Sequence, residues 1–257
     1  MEKSKYLQNK LESKTLSKDE LSELYSRLNK PIADFEILDQ GDITIEKDDL
    51  MIKLSYSPVP ADLHFEKVKE VLDFPKDKQR LVELMRLSSK EFRSLDSFIL
   101  QNKDLQLDIT SLLPEGVRVF FRSLPNESKR EKDPKPSGLF DPTINVVVVR
   151  NNLATPLDII VLMHEIGHAN DEVTPKILDF PRPKGPDDKV FLTQEQMEIR
   201  LKSERNAWAF AIKKIKPFLS DLGITTEDLD MFAHNFALHI YSEEINKMLS
   251  GKPYIEV

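Results

Sequence analysis

The sequence is organised around one stretch in its second half, Val161-Leu162-Met163-His164-Glu165-Ile166-Gly167-His168. Its two histidines stand four residues apart, and in an α-helix this spacing places both imidazoles on one face, within reach of one metal ion. The glutamate that follows the first histidine is rotated by about 100° around the helix. Glu165 can therefore stand beside a metal without ligating it, where it could accept a proton from a water molecule.

The neighbouring residues predict the helix that would carry this stretch. Thr155-Pro156-Leu157-Asp158 supplies an N-cap, a first-turn proline and an acid at the third position, which are typical of a helix start. We expect the helix to run through His168 and to end near Glu172, because Pro175 cannot lie comfortably inside it. Gly167 would let another backbone approach this helix closely.

A catalytic zinc site needs three protein ligands and keeps a fourth position for water. The continuation found in metzincins is absent, because Asp171 occupies the place of its glycine and Thr174 the place of its third histidine. A glutamate on a second helix is the main remaining option for the third ligand.

A capping box at Thr193-Gln194-Glu195-Gln196 predicts such a second helix, which should extend to about Lys216. Glu204 is the favoured ligand on it, because Ala207 and Ala211 follow one and two turns later. Their small side chains would allow this face to pack closely under the first helix. The other glutamates considered are Glu195 and Glu198.

Two motifs together resemble the gluzincin pattern, in which a Glu-x-x-Ala helix completes a His-Glu-x-x-His zinc site. They are His164-Glu165-Ile166-Gly167-His168 and Glu204-Arg205-Asn206-Ala207-Trp208-Ala209-Phe210-Ala211. Within gluzincins the chain is most similar to the small cytoplasmic zinc peptidases of the ImmA/IrrE type, whose second motif resembles Glu-x-x-Ala-Asn-x-Phe-Ala. The resemblance covers about residues 117–215 and departs at Trp208, where those families usually place Asn or Asp.

The resemblance implies a zincin-like fold and a zinc metallopeptidase that acts on a peptide or protein substrate. It implies that a zinc ion (Zn2+) is held by His164, His168 and Glu204, with Glu165 as the general base. A ligand histidine normally needs its second nitrogen held by a hydrogen-bond partner. Asp171 or Glu172 could supply this contact to His168, although a solvated pair of acids at the helix end fits the sequence equally well. Trp208 is expected in the core.

The last helix, which should begin at Thr225-Thr226-Glu227-Asp228 and end by Gly251, could supply a second donor to the transition-state oxyanion. The candidates on it are His234, His239 and Tyr241. Each of them could equally be a structural residue.

Strands are predicted at residues 117–122 and 143–150, with a charged, proline-rich and mobile loop from Pro125 to Pro142 between them. In zincins an edge strand just before the metal helix binds the substrate backbone, and Ile144 to Val149 is correctly placed for that role. A plain buried strand fits these apolar residues equally well.

The fold class expected from these patterns is α+β, with a zincin-like domain over residues 112–257 and a smaller α/β region over residues 1–111. In the smaller region a capping box at Ser17-Lys18-Asp19-Glu20 opens an amphipathic helix, and β-prone runs predict an antiparallel meander. These runs are at 35–38, 43–45 and 50–56, and helical patterns are at 62–73 and 76–101.

Composition limits the classes of partner and the cellular compartment that we expect for this chain. The chain has 257 residues, 40% of them hydrophobic, and a formal net charge of −7, which argues against a nucleic-acid partner. The sequence has no run of about 18 apolar residues, so no membrane-spanning helix is predicted. The absence of cysteine and of a secretory pattern at the N-terminus favours the cytoplasm. The oligomeric state is left open.

Two alternatives to a zinc metallopeptidase remain at this point. One is a catalytically inactive zincin-fold module with a binding or regulatory role, and the other is a zinc hydrolase of a non-peptide amide. A deformylase is disfavoured, because the cysteine ligand typical of that family has no counterpart in this chain.

Overall fold

In the part of the chain that the structure describes, a mixed seven-stranded sheet has the strand order β1-β2-β3-β5-β7-β6, with β4 paired to β3 off this path. The computed structural model describes residues 16–33, 40–59, 92–122, 138–142, 145–149, 153–180 and 192–235. All strand pairs are antiparallel except β5 and β7, which are parallel. The strands are β1 (Gly41–Lys47), β2 (Leu50–Pro58), β3 (Phe92–Gln101), β4 (Gln106–Asp108), β5 (Arg118–Arg122), β6 (Gly138–Asp141) and β7 (Val146–Val149).

Four α-helices accompany the sheet in the described residues, so the fold class is α+β as predicted. Each begins with a capping box, and the helix starts expected from the sequence are confirmed. The last helix is described only to Ala233, and the remainder of its predicted span after residue 235 lies outside the described residues. The helices are α1 (Lys18–Leu28), α2 (Pro156–Ala169), α3 (Gln194–Ile215) and α4 (Thr226–Ala233).

No helix in the described part of the chain is both long and apolar enough to cross a lipid bilayer.

The helix predicted over residues 76–101 is wrong in its last part, because Phe92–Gln101 forms strand β3. β3 pairs with β2 along one edge and with β5 and β4 along the other. Its first four residues, 92–95, are all buried, and this part of the strand therefore lacks the alternation that marks a strand in sequence. The helical pattern at 62–73 and residues 76–91 lie outside the described residues.

The edge-strand prediction for Ile144 to Val149 is also wrong. Strand β7 (Val146–Val149) lies between β5 and β6, and its valines are paired on both sides. The edge is β6, formed by Gly138–Asp141 inside the segment predicted as a mobile loop. A four-residue strand that contains glycine and aspartate and is followed by Pro142 carries little β-propensity of its own, so pairing with β7 decides its conformation.

Helix α2, which carries His164 and His168, lies at the centre of the core. Its residues 156–167 are all buried, and it packs against β7 and β6 on one side and against α3 on the other. Strand β3 pairs with β5 across the boundary predicted near residue 112, and Leu28, Phe98 and Ile160 belong to one hydrophobic cluster. The N-terminal region therefore contributes to the same core as α2.

Helix α1 is joined to helix α4 through Asp228. Arg27 donates from Nη2 to Asp228 Oδ1 at 2.8 Å, and the other carboxylate oxygen of Asp228 accepts from the Thr225 backbone amide and hydroxyl in the α4 capping box. Tyr25 packs edge-to-face on Phe232 with ring centroids 6.0 Å apart. One carboxylate therefore both caps α4 and holds α1 on it.

We expect Asp228→Asn to lower the free energy of unfolding by about 1 kcal/mol at pH 7, because it removes an ion pair and weakens a helix cap. Burial alone would raise the pKa of Asp228, but hydrogen bonds from Thr225 and Arg27 outweigh burial and lower it. A lowered carboxyl pKa stabilises the fold above the unfolded value of about 3.9. The difference between wild type and variant should therefore disappear as pH falls through the lowered folded-state pKa, which urea unfolding across pH measures.

The matched control is Glu23→Gln, which removes the exposed partner of Arg27 on the same helix, where the carboxylate oxygen lies 3.1 Å from Nη1. An exposed pair of this kind contributes about 0.5 kcal/mol or less. Equal destabilisation by the two variants at pH 7 would contradict the role given to Asp228.

Candidate metal centre

Helices α2 and α3 bring together the three residues that the sequence predicted as metal ligands. The Nε2 atoms of His164 and His168 are 3.1 Å apart. The carboxylate of Glu204 places Oε2 3.4 Å from His164 Nε2 and Oε1 3.5 Å from His168 Nε2. Within the described residues these three side chains form a group whose ligand atoms all lie within 4.8 Å of one another.

The spacing of these atoms fits a zinc ion. Four-coordinate zinc binds nitrogen and oxygen at about 2.0–2.1 Å with tetrahedral angles, which places neighbouring ligand atoms about 3.3 Å apart. The two Nε2 atoms are 3.1 Å apart, close to that value, and each lies 3.4 or 3.5 Å from a different oxygen of the Glu204 carboxylate. Two imidazoles and one carboxylate also form a donor set typical of catalytic zinc, with the fourth position left for water.

A backbone contact between the two helices positions Glu204. A Cβ atom added to Gly167 would lie 2.6 Å from the carbonyl oxygen of Ala207 and 2.8 Å from its Cα, so the helices touch without an intervening side chain. Ala207 and Ala211 are fully buried, which confirms the close packing expected of this face. Glu204 lies one turn before Ala207 and is thereby presented to the histidines. Glu195 and Glu198, at the start of α3, are exposed.

The three residues stabilise one another's charges away from water. Burial alone would raise the pKa of Glu204, but hydrogen bonds from His164 and His168 outweigh burial and hold that pKa well below its usual range. Burial alone would lower the pKa of His168, yet the Glu204 carboxylate raises it. A bound divalent cation would add positive charge beside the same buried carboxylate.

Glu165 stands beside this group but is not part of it. Its side chain is buried beneath strand β6, and burial raises its pKa above the ordinary value. The backbone amide of Phe140 donates a hydrogen bond to its carboxylate. A Cβ atom added to Gly138 would lie 2.6 Å from Val161 Cγ1 and 2.7 Å from Glu165 Cγ, so a larger residue there would displace these side chains. The raised pKa suits a group that must both accept and return a proton near neutral pH.

The contribution of β6 to the site was missed in the sequence. Gly138 and Phe140 lie in a proline-rich segment that was interpreted as a loop, and their role depends on pairing with β7. The only local signal was the Gly-Leu-Phe run itself, which is too short to predict a strand.

The partner of the second nitrogen of His168 differs from the prediction. His168 Nδ1 lies 3.2 Å from the hydroxyl of Ser203 and 3.3 Å from the hydroxyl of Thr174. Asp171 contacts the Thr174 hydroxyl rather than the imidazole, at 3.0 Å. Glu172 is exposed. The sequence carried no signal for the two hydroxyls, because serine and threonine are common in many roles.

His164 is held differently. Its ring lies against the Trp208 indole, with centroids 4.3 Å apart and planes inclined by 30°. Trp208 is buried and also packs against Phe232, which confirms its expected place in the core. Among the described residues, no hydrogen-bond partner reaches the buried His164 Nδ1. Trp208 is the only tryptophan in the chain, so its fluorescence reports directly on this imidazole.

Of the three oxyanion-donor candidates, the structure describes only His234, which is buried directly after α4. Its role as a donor stays a prediction. His239 and Tyr241 lie outside the described residues.

We expect Gly167→Ala to force α2 and α3 apart, because its new methyl group would overlap the Ala207 backbone. Overpacking of this kind costs about 1–3 kcal/mol of unfolding free energy, which urea denaturation measures. Gly41→Ala is the matched control, since its Cβ would lie 3.5 Å from the Tyr56 hydroxyl, an ordinary contact. A Gly167→Ala protein as stable as Gly41→Ala would contradict the backbone contact.

Comparisons of the chain with protein-family models, with curated proteins and with solved structures found no match. The resemblance to gluzincins therefore depends on the two sequence motifs.

Proposed function

We propose that this protein is a zinc-dependent metallopeptidase with a zincin-like fold, in which His164, His168 and Glu204 hold the zinc ion and Glu165 is the general base. The observation that supports this most is the convergence of two imidazoles and one carboxylate, whose ligand atoms all lie within 4.8 Å of one another, beside the buried carboxylate of Glu165, which is not one of them. The order of elements also supports it, because an edge strand, a histidine helix and a glutamate helix surround one site.

A bound zinc ion supplies Lewis-acid chemistry, lowering the pKa of water towards neutrality and polarising a carbonyl group. Glu165 accepts a proton from the attacking water and later returns it to the leaving amine. The Phe140 amide orients the Glu165 carboxylate for both transfers, and β6 keeps bulk water from it. The remaining site residues hold the ligands in place.

The proposed substrate is a peptide or protein segment in extended conformation. Strand β6 is at the end of the strand order, so the substrate-binding role first assigned to residues 144–149 passes to Gly138–Asp141. An added strand is recognised chiefly through its main chain, which predicts a preference for unfolded segments over one defined side-chain sequence. We retain the predicted cytoplasmic location and the predicted absence of nucleic-acid and membrane partners as part of this proposal.

One observation favours a second candidate, a zinc-bearing binding or regulatory module without turnover. His164, Glu165 and Glu204 are each less than a tenth exposed, at 9%, 7% and 9%. A substrate must reach the metal and Glu165 for hydrolysis, whereas a structural metal needs no access. Hydrolysis of an unfolded protein such as casein by the zinc-loaded wild type distinguishes the two candidates.

We expect Glu204→Ala to reduce zinc bound at equilibrium from one ion per chain to well below one, because a tetrahedral site loses one of its three protein ligands. Glu198→Ala is the matched control, since Glu198 is an exposed glutamate on the same helix. Metal analysis after dialysis against micromolar zinc measures both. Undiminished zinc in Glu204→Ala would contradict its place in the ligand set.

Glu165→Gln should keep one zinc per chain and lower kcat for casein or peptide hydrolysis by about 10²–10⁴-fold, because it removes the general base and keeps the side-chain size. Rates are compared at equal zinc occupancy. A Gln variant with wild-type kcat would refute the role of Glu165, and one without zinc would place Glu165 among the ligands.

A further inference from the structure

Hydrogen bonds connect His168 to the carboxylate of Asp171 through the hydroxyl groups of Thr174 and Ser203. The Ser203 and Thr174 hydroxyl oxygens are 2.7 Å apart, and both lie within 3.3 Å of His168 Nδ1. Thr174 in turn donates to Asp171 Oδ2 at 3.0 Å. We call Ser203, Thr174 and Asp171 the hydroxyl relay.

The carboxylate at its end sets the direction of every hydrogen bond in the relay. An ionised Asp171 can only accept hydrogen bonds, so the Thr174 hydroxyl donates its single hydrogen to Asp171. Thr174 Oγ1 must then accept from the Ser203 hydroxyl, which donates its single hydrogen to Thr174 and has none left for His168. Both hydroxyl oxygens can therefore only accept from His168. The imidazole must therefore carry a proton on Nδ1, and in the neutral ring Nε2 is then the nitrogen without one.

The environment keeps this direction from reversing. Ser203 is fully buried and Thr174 is 8% exposed, so water does not substitute for either hydroxyl. Asp171 is itself held by three donors, since Oδ2 also accepts from the Thr174 backbone amide and Oδ1 accepts from Asn206 Nδ2 at 2.8 Å. All three of these contacts require Asp171 to accept, which fixes the direction of its hydrogen bond with the Thr174 hydroxyl.

We propose that the hydroxyl relay locks His168 in the Nδ1–H tautomer and so prepares Nε2 for the metal, with Thr174 and Ser203 as positioning residues. This inference rests on the proposed function, because it assigns the relay to the zinc site. It explains how His168 is oriented although hydroxyl groups, and not a carboxylate, contact its Nδ1. The zinc affinity of the protein then depends on a carboxylate that touches neither the metal nor a ligand.

The relay assigns different effects to its members. Thr174→Val removes the link to Asp171, so Ser203 is free to donate to Nδ1 and the wrong tautomer becomes populated. We expect zinc affinity to fall about 10–100-fold, the usual effect of losing an outer-shell partner. Ser203→Ala leaves the Thr174 oxygen to accept from Nδ1, so its loss should be smaller. Asp171→Asn keeps an acceptor for Thr174 and removes the charge, and should lie between them.

The first measurement is the zinc affinity of the full chain, determined by chelator competition with Trp208 fluorescence as the signal. The second is the tautomer of His168, determined by ¹⁵N NMR of the metal-free protein at a pH where the imidazole is neutral. Ser94→Ala, a buried serine on β3, and Thr44→Val, an exposed threonine on β1, are the matched controls and should retain wild-type affinity. The relay predicts Nδ1–H in the wild type and a mixture of tautomers in Thr174→Val.

The outcomes separate this inference from the proposed function. A wild type that binds no zinc overturns the proposed metal site and the relay with it. A wild type that binds zinc, together with variants of unchanged affinity and unchanged tautomer, overturns the relay alone. If Thr174→Val does not fold, Asp171→Asn and Ser203→Ala decide the question through the same two measurements.

Discussion

The contact on which the site depends most is the one between the backbones of Gly167 and Ala207. A Cβ atom on Gly167 would lie 2.6 Å from the Ala207 carbonyl oxygen, so no other residue fits there without moving a helix. His168 follows Gly167 directly, and Glu204 lies one turn before Ala207. The distance between the ligands on α2 and the ligand on α3 is therefore set by main chain atoms, which pack with less freedom than long side chains.

Around that contact each buried charged group has a partner that offsets the free energy of removing it from water. Glu204 is balanced by the two imidazoles, His168 is linked to Asp171 through two hydroxyls, and Glu165 receives the Phe140 amide. An unpaired buried charge would cost several kcal/mol, so each of these partners is a condition for the site to fold. His164 meets Glu204 through Nε2, whereas its buried Nδ1 has no hydrogen-bond partner among the described residues and the Trp208 indole lies against its ring.

The features that the sequence predicts correctly are those determined by residues close to one another in the chain. The four capping boxes, the His-Glu-x-x-His spacing and the alanines after Glu204 each act within one or two helical turns. Strand β3 was assigned to a helix because Phe92, Leu95 and Ile99 follow a helical period, although pairing on both edges decides their conformation. Strand β6 and the hydroxyls around His168 were missed, because they acquire their roles only from distant partners.

The most direct test of the account is X-ray absorption at the zinc edge on the full chain loaded with one equivalent of zinc. We predict four nitrogen or oxygen neighbours at about 2.0–2.1 Å, two of them with the outer scattering of imidazole. The chain contains no cysteine, so a thiolate of the protein cannot contribute. Failure to bind zinc, or a bound zinc without two imidazoles, would contradict the proposal that His164, His168 and Glu204 form a metal centre.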